Sequence, residues 1–119
     1  MNPAHVPEIT PEAFGELLKN GSSFVVLDVR EPSEVGQVHL EDPRVVYTPM
    51  SRLAYDGLDA LPEEINHPDK EIIVICHHGI RSRQVTGWLR SQGWANVQSL
   101  RGGVDTYALL VDPSIGRYY

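Results

Sequence analysis

Apolar positions along this chain fall into short continuous runs separated by stretches with helical spacing. Residues 24–29 (FVVLDV) and 71–75 (EIIVI) are nearly unbroken and rich in β-branched side chains, the pattern of strands buried on both faces. Residues 45–47 and 97–100 read as two shorter strands. Thr10-Pro11-Glu12 has the form of a helix start, with Thr10 as N-cap, Pro11 in the first helical position and an acid in the first turn. Phe14, Leu17 and Leu18 then share one helical face, and Asn20-Gly21 stops the helix. Residues 32–36 suit a short helix. Residues 50–53 and 61–65 suggest brief helical turns, interrupted by Asp56-Gly57. Residues 81–92 are helical in composition, with Gly93 as a natural C-cap. Gly102-Gly103 precedes a last helix that runs to about Leu110 and ends at Asp112-Pro113. Trp88 and Trp94, flanking one helix end, read as packing residues. The order αβαβαβαβα predicts an α/β fold: a central, mostly parallel sheet with helices on both faces.

Composition narrows this further. At 119 residues the chain reads as a single domain over 1–119, and 41% apolar residues are enough for a core and too many for intrinsic disorder. No apolar run approaches the ~18 residues of a membrane span, and residues 1–10 lack the basic-then-apolar pattern of a secretory leader. A net charge of −6 argues against nucleic acid or a membrane surface as partner, so any bound anion must be gripped locally. The single cysteine, Cys76, excludes an internal disulfide and a four-cysteine zinc site. It is either core filling or a lone reactive thiol in a reducing, cytoplasmic compartment.

The segment Cys76-His77-His78-Gly79-Ile80-Arg81-Ser82 carries the candidate chemistry. A buried strand ends at Ile75, the chain turns through a tight loop, and a helix begins near Arg81. Ligands of open α/β sheets bind outside the carboxyl ends of the strands, where Cys76 falls. Gly79 accommodates the positive φ such a turn needs. A loop of this kind points successive N–H groups inward and ends at a helix N-terminus, an anion nest that favours a thiolate over a thiol. Arg81 adds a permanent charge with planar donors suited to an oxyanion, and Arg83 lies close enough to add positive potential. His77 and His78 beside Cys76 do not read as metal ligands, because adjacent residues on a tight loop cannot wrap a tetrahedral ion. No metal and no cofactor are expected. A thiol–disulfide oxidoreductase is disfavoured by the lack of a Cys-x-x-Cys pair. Asp28, at the end of the first long strand, is read as a structural acceptor for a loop or for Arg30. Arg30 and Glu31 are read as an ion-paired turn, and Gly102-Gly103 as a backbone requirement.

The loop from Cys76 to Ser82 resembles the active-site loop of rhodanese-like sulfurtransferases: Cys, four residues, Arg, then a small hydroxyl residue. Leu27-Asp28-Val29-Arg30-Glu31 is similar to the family's early strand and Asp-x-Arg turn. Gly93 onward to Val97, followed by Leu100-Arg101-Gly102-Gly103-Val104, resembles its closing segment. Asp112-Pro113-Ser114, Arg117 and Tyr118 resemble the tail of small bacterial single-domain members. Two segments depart from the family pattern. Gly36-Gln37-Val38-His39-Leu40 and Asp42-Pro43 stand where Gly-His-Ile-x-Gly-Ala is usual. His77 stands where many thiosulfate-using members hold Arg. The resemblance implies a rhodanese-like domain in which the Cys76 thiolate takes sulfur from a small sulfur-containing anion such as thiosulfate. It implies a Cys76 persulfide cradled by residues 77–82, with Arg81 either orienting the donor's sulfonate or bracing the loop, and with Asp28 and Arg30 in support. Cyanide or a protein or small-molecule thiol would then remove the sulfur. Phosphatases and arsenate reductases of the same fold have a Cys-to-Arg loop one residue longer. Non-catalytic interaction modules typically lack the cysteine. The four residues between Cys76 and Arg81, and Cys76 itself, favour sulfur transfer over both.

Overall fold

The computed structural model describes residues 6–119; residues 1–5, part of the stretch read for a secretory leader, lie outside the described residues. Five strands form one sheet: β1 (Glu8–Ile9), β2 (Val25–Asp28), β3 (Val45–Tyr47), β4 (Ile72–Ile75) and β5 (Val97–Leu100), in the order β1-β5-β4-β2-β3. All four pairings are parallel. The connecting helices are α1 (Pro11–Lys19), α2 (Pro32–Val35), α3 (Met50–Asp56), α4 (Ile80–Ser91) and α5 (Gly103–Leu110), with single 3₁₀ turns at Gly57–Ala60, Glu63–Ile65 and Pro113–Ile115. The expected α/β architecture is the one observed. No helix among the described residues is long and apolar enough to cross a membrane.

Alternation along the buried strands sets the layers, because successive side chains point to opposite faces. Val25, Leu27, Ile72, Val74 and Val97 pack with Leu53, Val85, Leu89 and Trp94 on the face covered by α3 and α4. Val26, Ile73, Ile75 and Leu100 pack with Phe14, Val104 and Tyr107 on the face covered by α1 and α5. Each fully buried Val, Leu or Ile contributes ~1.5–3 kcal/mol by leaving water, which is why the two central strands read as unbroken apolar runs. The Thr10 hydroxyl caps α1, accepting the Ala13 N–H at 3.2 Å. Trp94 packs as expected and donates its indole N–H to the Ile65 carbonyl at 2.8 Å. Trp88 lies half-buried against the same core.

Two features differ from the sequence reading. β1 is a two-residue edge strand against β5, too short to carry any periodicity. The turn expected at 50–53 is the longer helix α3, which stops at the expected Asp56-Gly57 break with Gly57 at φ +60°, and the turn expected at 61–65 is replaced by 3₁₀ turns at Gly57–Ala60 and Glu63–Ile65.

The sheet order positions the site. From β2 the chain moves outward to β3, and from β4 it moves outward the other way, to β5. The crevice beyond the carboxyl ends of β2 and β4 is therefore the switch point of the sheet. Asp28 and Ile75 are register partners there, so Cys76 emerges beside the end of β2.

Candidate active site

Cys76 is 1% exposed, and its sulfur sits where an N-cap side chain would stand for α4. The N-cap residue, Gly79, has no side chain; the Gly79 N–H donates to Cys76 Sγ at 3.1 Å and the Ser82 N–H at 3.3 Å. The sulfur thus takes up orphan donors of the helix start, a position whose dipole favours negative charge. Gly79 turns the chain with φ +94°. Ser82 is fully buried; its hydroxyl oxygen lies 3.4 Å from Sγ, it donates to the Gly79 carbonyl at 3.2 Å, and it shares a 2.7 Å hydrogen bond with Ser99 of β5. Ile80 points its apolar side chain outward, 60% exposed.

The back of the loop is held by α5. The Val104 N–H donates to the Cys76 carbonyl at 2.9 Å and the Asp105 N–H to the His77 carbonyl at 3.1 Å. This docking works only because residue 103 is glycine. A Cβ there would lie 2.5 Å from the Cys76 carbonyl oxygen and closer still to that of His77. The Gly102-Gly103 pair is a backbone requirement: at Gly103 it is imposed by the cysteine loop, and at Gly102, with φ +75°, by the Thr106 side chain.

His77 is buried between two rings, with ring centroids 3.8 Å from both His78 and Tyr118. Its Nε2–H donates to the Tyr118 carbonyl at 2.8 Å, and burial holds its pKa below the usual histidine value. The ring therefore stays neutral and braces the tail. His78 is exposed, with Nδ1 3.9 Å from Asp105, which also accepts two hydrogen bonds from Arg117.

Asp28 and Arg30 are both 1% exposed and pair with each other: the Asp28 carboxylate accepts the Arg30 backbone N–H at 3.0 Å and the guanidinium at 2.8 Å. The expected Arg30–Glu31 ion pair is not formed. In extended backbone, neighbouring side chains point to opposite sides while residues two apart share one, so Arg30 meets Asp28. Glu31 turns outward, accepting the Ser51 hydroxyl at 2.8 Å.

Arg81 does not reach toward the sulfur with a free fork. Its two terminal nitrogens donate to both oxygens of Glu34, at 2.8 and 2.7 Å, and that pairing raises its pKa further. Glu34 in turn accepts the Glu31 N–H at 2.9 Å and the Tyr118 hydroxyl at 3.1 Å, while Arg30 donates to the Tyr118 oxygen at 3.3 Å. Asp28, Arg30, Tyr118, Glu34 and Arg81 thus form one chain of hydrogen bonds around the loop. Nothing in the sequence around Glu34 marks it as part of the site, and Tyr118 stands out there only as part of the tail. The one local signal was the Glu31-x-x-Glu34 spacing of a capping box at the start of α2, which does form.

The guanidinium of Arg81 holds the Glu34 carboxyl down at about 2, against an ordinary 4.5. A carboxyl depressed in the folded state contributes stability that is complete above its unfolded pKa. That stability is lost as pH falls from 4.5 through about 2. Glu34→Gln has no carboxyl to protonate, so its stability should fall less steeply over that window than the wild type's. Urea midpoints at pH 5 and pH 3 measure this; parallel losses in the two proteins would show that the pair does not support the fold.

The fold and the site define a class of parallel α/β domains with a cysteine at the switch point of the sheet and N–H groups on its sulfur. The comparisons place the chain within it: the family model for the rhodanese-like domain matches residues 10–109, and this protein belongs to that family. It is 39% identical over 93 residues to "Rhodanese-like/PpiC domain-containing protein 12, chloroplastic" of Arabidopsis thaliana, covering 78% of this chain and 30% of that protein. It is 34% identical over 100 residues to the thiosulfate sulfurtransferase GlpE of Haemophilus influenzae, covering 82% and 84%. The crystal structure of a rhodanese-related protein from Thermoplasma volcanium superposes with a TM-score of 0.68 at 27% identity, covering 94% and 95%. Several curated relatives are longer; the chain spans about half or less of their length.

Proposed function

We propose that the protein is a sulfurtransferase working through a Cys76 persulfide. The observation that carries the reading is the sulfur itself, at the N-terminus of α4 with the Gly79 and Ser82 N–H groups 3.1 and 3.3 Å away. In the first half-reaction the Cys76 thiolate attacks the outer sulfur of thiosulfate or a related donor. The donor's S–S bond breaks, its electron pair leaves with sulfite, and Cys–S–S⁻ remains. In the second, cyanide or a thiol attacks the terminal sulfur and regenerates the thiolate. With cyanide the product is thiocyanate. The N–H groups that now meet Sγ are placed to hold the terminal sulfur anion, the preorganised donation that stabilises charge at least cost in reorganisation. Two covalent half-reactions predict ping-pong kinetics. Arg81 acts here as a brace, tying the start of α4 to α2 through Glu34, and Asp28 with Arg30 anchors the same network. His77, His78 and Ile80 shape the loop. The four residues between Cys76 and Arg81 suit one sulfur atom better than a phosphate. A cytoplasmic location fits a working thiol that must stay reduced.

The test is the intact mass after exposure to thiosulfate. One added sulfur, ~32 Da, should appear on the only thiol and disappear with cyanide. Absence of the adduct with every sulfane donor tried, while iodoacetamide still alkylates Cys76, would sink the reading. Hydrolysis of an aryl phosphate without sulfur transfer would point to phosphatase chemistry.

A further inference from the structure

An anion approaching Cys76 does not meet a bare guanidinium. Both terminal nitrogens of Arg81 face the two oxygens of Glu34. Glu34 is itself fixed, by the Glu31 N–H on one oxygen and the Tyr118 hydroxyl on the other. Tyr118 cannot easily swing away: its ring lies 3.8 Å above His77 at 9° and its carbonyl accepts the His77 Nε2–H. Neighbouring cations are matched too, Arg30 with Asp28 and Arg117 with Asp105. Of the two arginines in the first turn of α4, only Arg83 has no carboxylate partner among the described residues. His77, the residue after the cysteine, is a neutral ring with its Nε2–H engaged.

Charge therefore works differently here from a site with a free arginine fork. A dianionic oxyanion gains little from Arg81, because the Glu34 carboxylate behind it offsets most of the guanidinium's attraction. A donor with one charge fewer loses half as much to that carboxylate. We propose that Glu34, held in place by Tyr118, is a specificity-determining residue that masks Arg81 and biases the site against doubly charged oxyanion sulfur donors. Glu34 acts through Arg81 and is in that sense a positioning residue. The inference rests on the sulfur-transfer reading above and adds the class of donor the site prefers: sulfane donors with at most one negative charge at the reacting end.

Thiosulfate and methanethiosulfonate separate charge from shape. Both present a terminal sulfur on an oxidised sulfur, and a methyl group in the second replaces one charged oxygen. The experiment measures kcat/KM for each donor, with cyanide as acceptor, in the wild type, Glu34→Gln, Tyr118→Phe and the double variant Glu34→Gln/Arg81→Met. Glu34→Gln should raise the thiosulfate-to-methanethiosulfonate ratio on the order of tenfold, the size of removing one like charge from the side of the site. Added NaCl should shrink the gain. The double variant should lose it, because no guanidinium is left to unmask. Tyr118→Phe keeps the ring on His77 and removes one hydrogen bond from Glu34, so its ratio should move the same way by less. A brace alone would lower both donors in parallel and leave the ratio unchanged; that result, or a fall in the ratio, overturns the proposal. If Glu34→Gln does not fold by circular dichroism, the Tyr118→Phe ratio decides, and no change in it overturns the proposal. If neither donor puts sulfur on wild-type Cys76, the sulfur-transfer reading itself fails, an outcome the mass measurement distinguishes.

Discussion

Cys76→Ser should reduce sulfur transfer to the uncatalysed background while leaving the fold nearly as stable as the wild type. The chemical half follows from nucleophile strength. Among the described residues no side chain within hydrogen-bonding reach of the sulfur is a base: its partners are the Gly79 and Ser82 N–H groups and the Ser82 hydroxyl. Cysteine sulfur is a strong nucleophile in its own right; a serine hydroxyl is a poor one without a base to take its proton. The structural half follows from the same partners. A serine hydroxyl at this position is surrounded by donors and one hydroxyl acceptor, so burying it at 1% exposure leaves no orphaned polar group. The expected change in stability is ~1 kcal/mol, the scale of one exchanged hydrogen bond. Thiocyanate production, intact mass after thiosulfate, and a thermal melt check the three parts. Residual turnover in Cys76→Ser would remove the covalent mechanism. A collapsed melt would mean that Cys76 is first of all a core residue.

Gly103→Ala should damage both the fold and the site, though residue 103 never touches the sulfur. Its φ of +65° costs a non-glycine residue ~1–2 kcal/mol. The added methyl also overlaps the carbonyls of Cys76 and His77, and overpacking of this kind costs a further ~1–3 kcal/mol. Backbone is the obstacle, so no side-chain rotation relieves it. α5 must back away, and the hydrogen bonds from Val104 and Asp105 to those two carbonyls lengthen with it. The melting temperature should fall by roughly 10–20 °C. The cysteine loop, losing its rear support, should lose alignment of the N–H groups on sulfur. One misaligned donor of this type slows a reaction ~100-fold or more. Gly21→Ala is the control: its φ is +73°, yet nothing lies within 4 Å of the added methyl, so it should pay the backbone term alone and keep full activity. If Gly103→Ala melts and turns over like Gly21→Ala, the loop does not depend on the α5 contact.

Both variants concern the part of the protein that its sequence makes easiest to read. The runs FVVLDV and EIIVI announce buried strands because parallel strands covered on both faces need apolar residues on both. The loop after the second run is equally plain, since sulfur, turn glycine and helix start lie within seven consecutive residues. Their geometry is mostly local: a strand end, a left-handed glycine and the first helical turn bring the N–H groups of residues 79 and 82 onto Cys76, and α5 then holds the loop from behind. Capping at Thr10 and the sheet's parallel sense are local or short-range consequences of the same kind.

What surrounds the loop was decided only in three dimensions. Arg30 chose Asp28 over its neighbour Glu31 because alternation along extended backbone outranks adjacency. β1 exists because two residues found a free edge of β5, not because two residues prefer to be a strand. Arg81 reads in the sequence as a guanidinium that either binds the donor's oxyanion or braces the loop, with no partner for bracing in view. The fold gives it to Glu34, 47 positions away, and Glu34 to Tyr118, 84 positions away. Side chains so far apart in sequence leave no periodicity and no spacing to find, because only the sheet order and the returning tail bring them within 3.1 Å. The cysteine and the N–H groups on its sulfur were thus set mainly by short-range backbone geometry within seven residues, with α5 supplying only their rear support. The charge that a donor meets on the way in was determined by tertiary structure, through ion pairing between elements the sequence keeps apart.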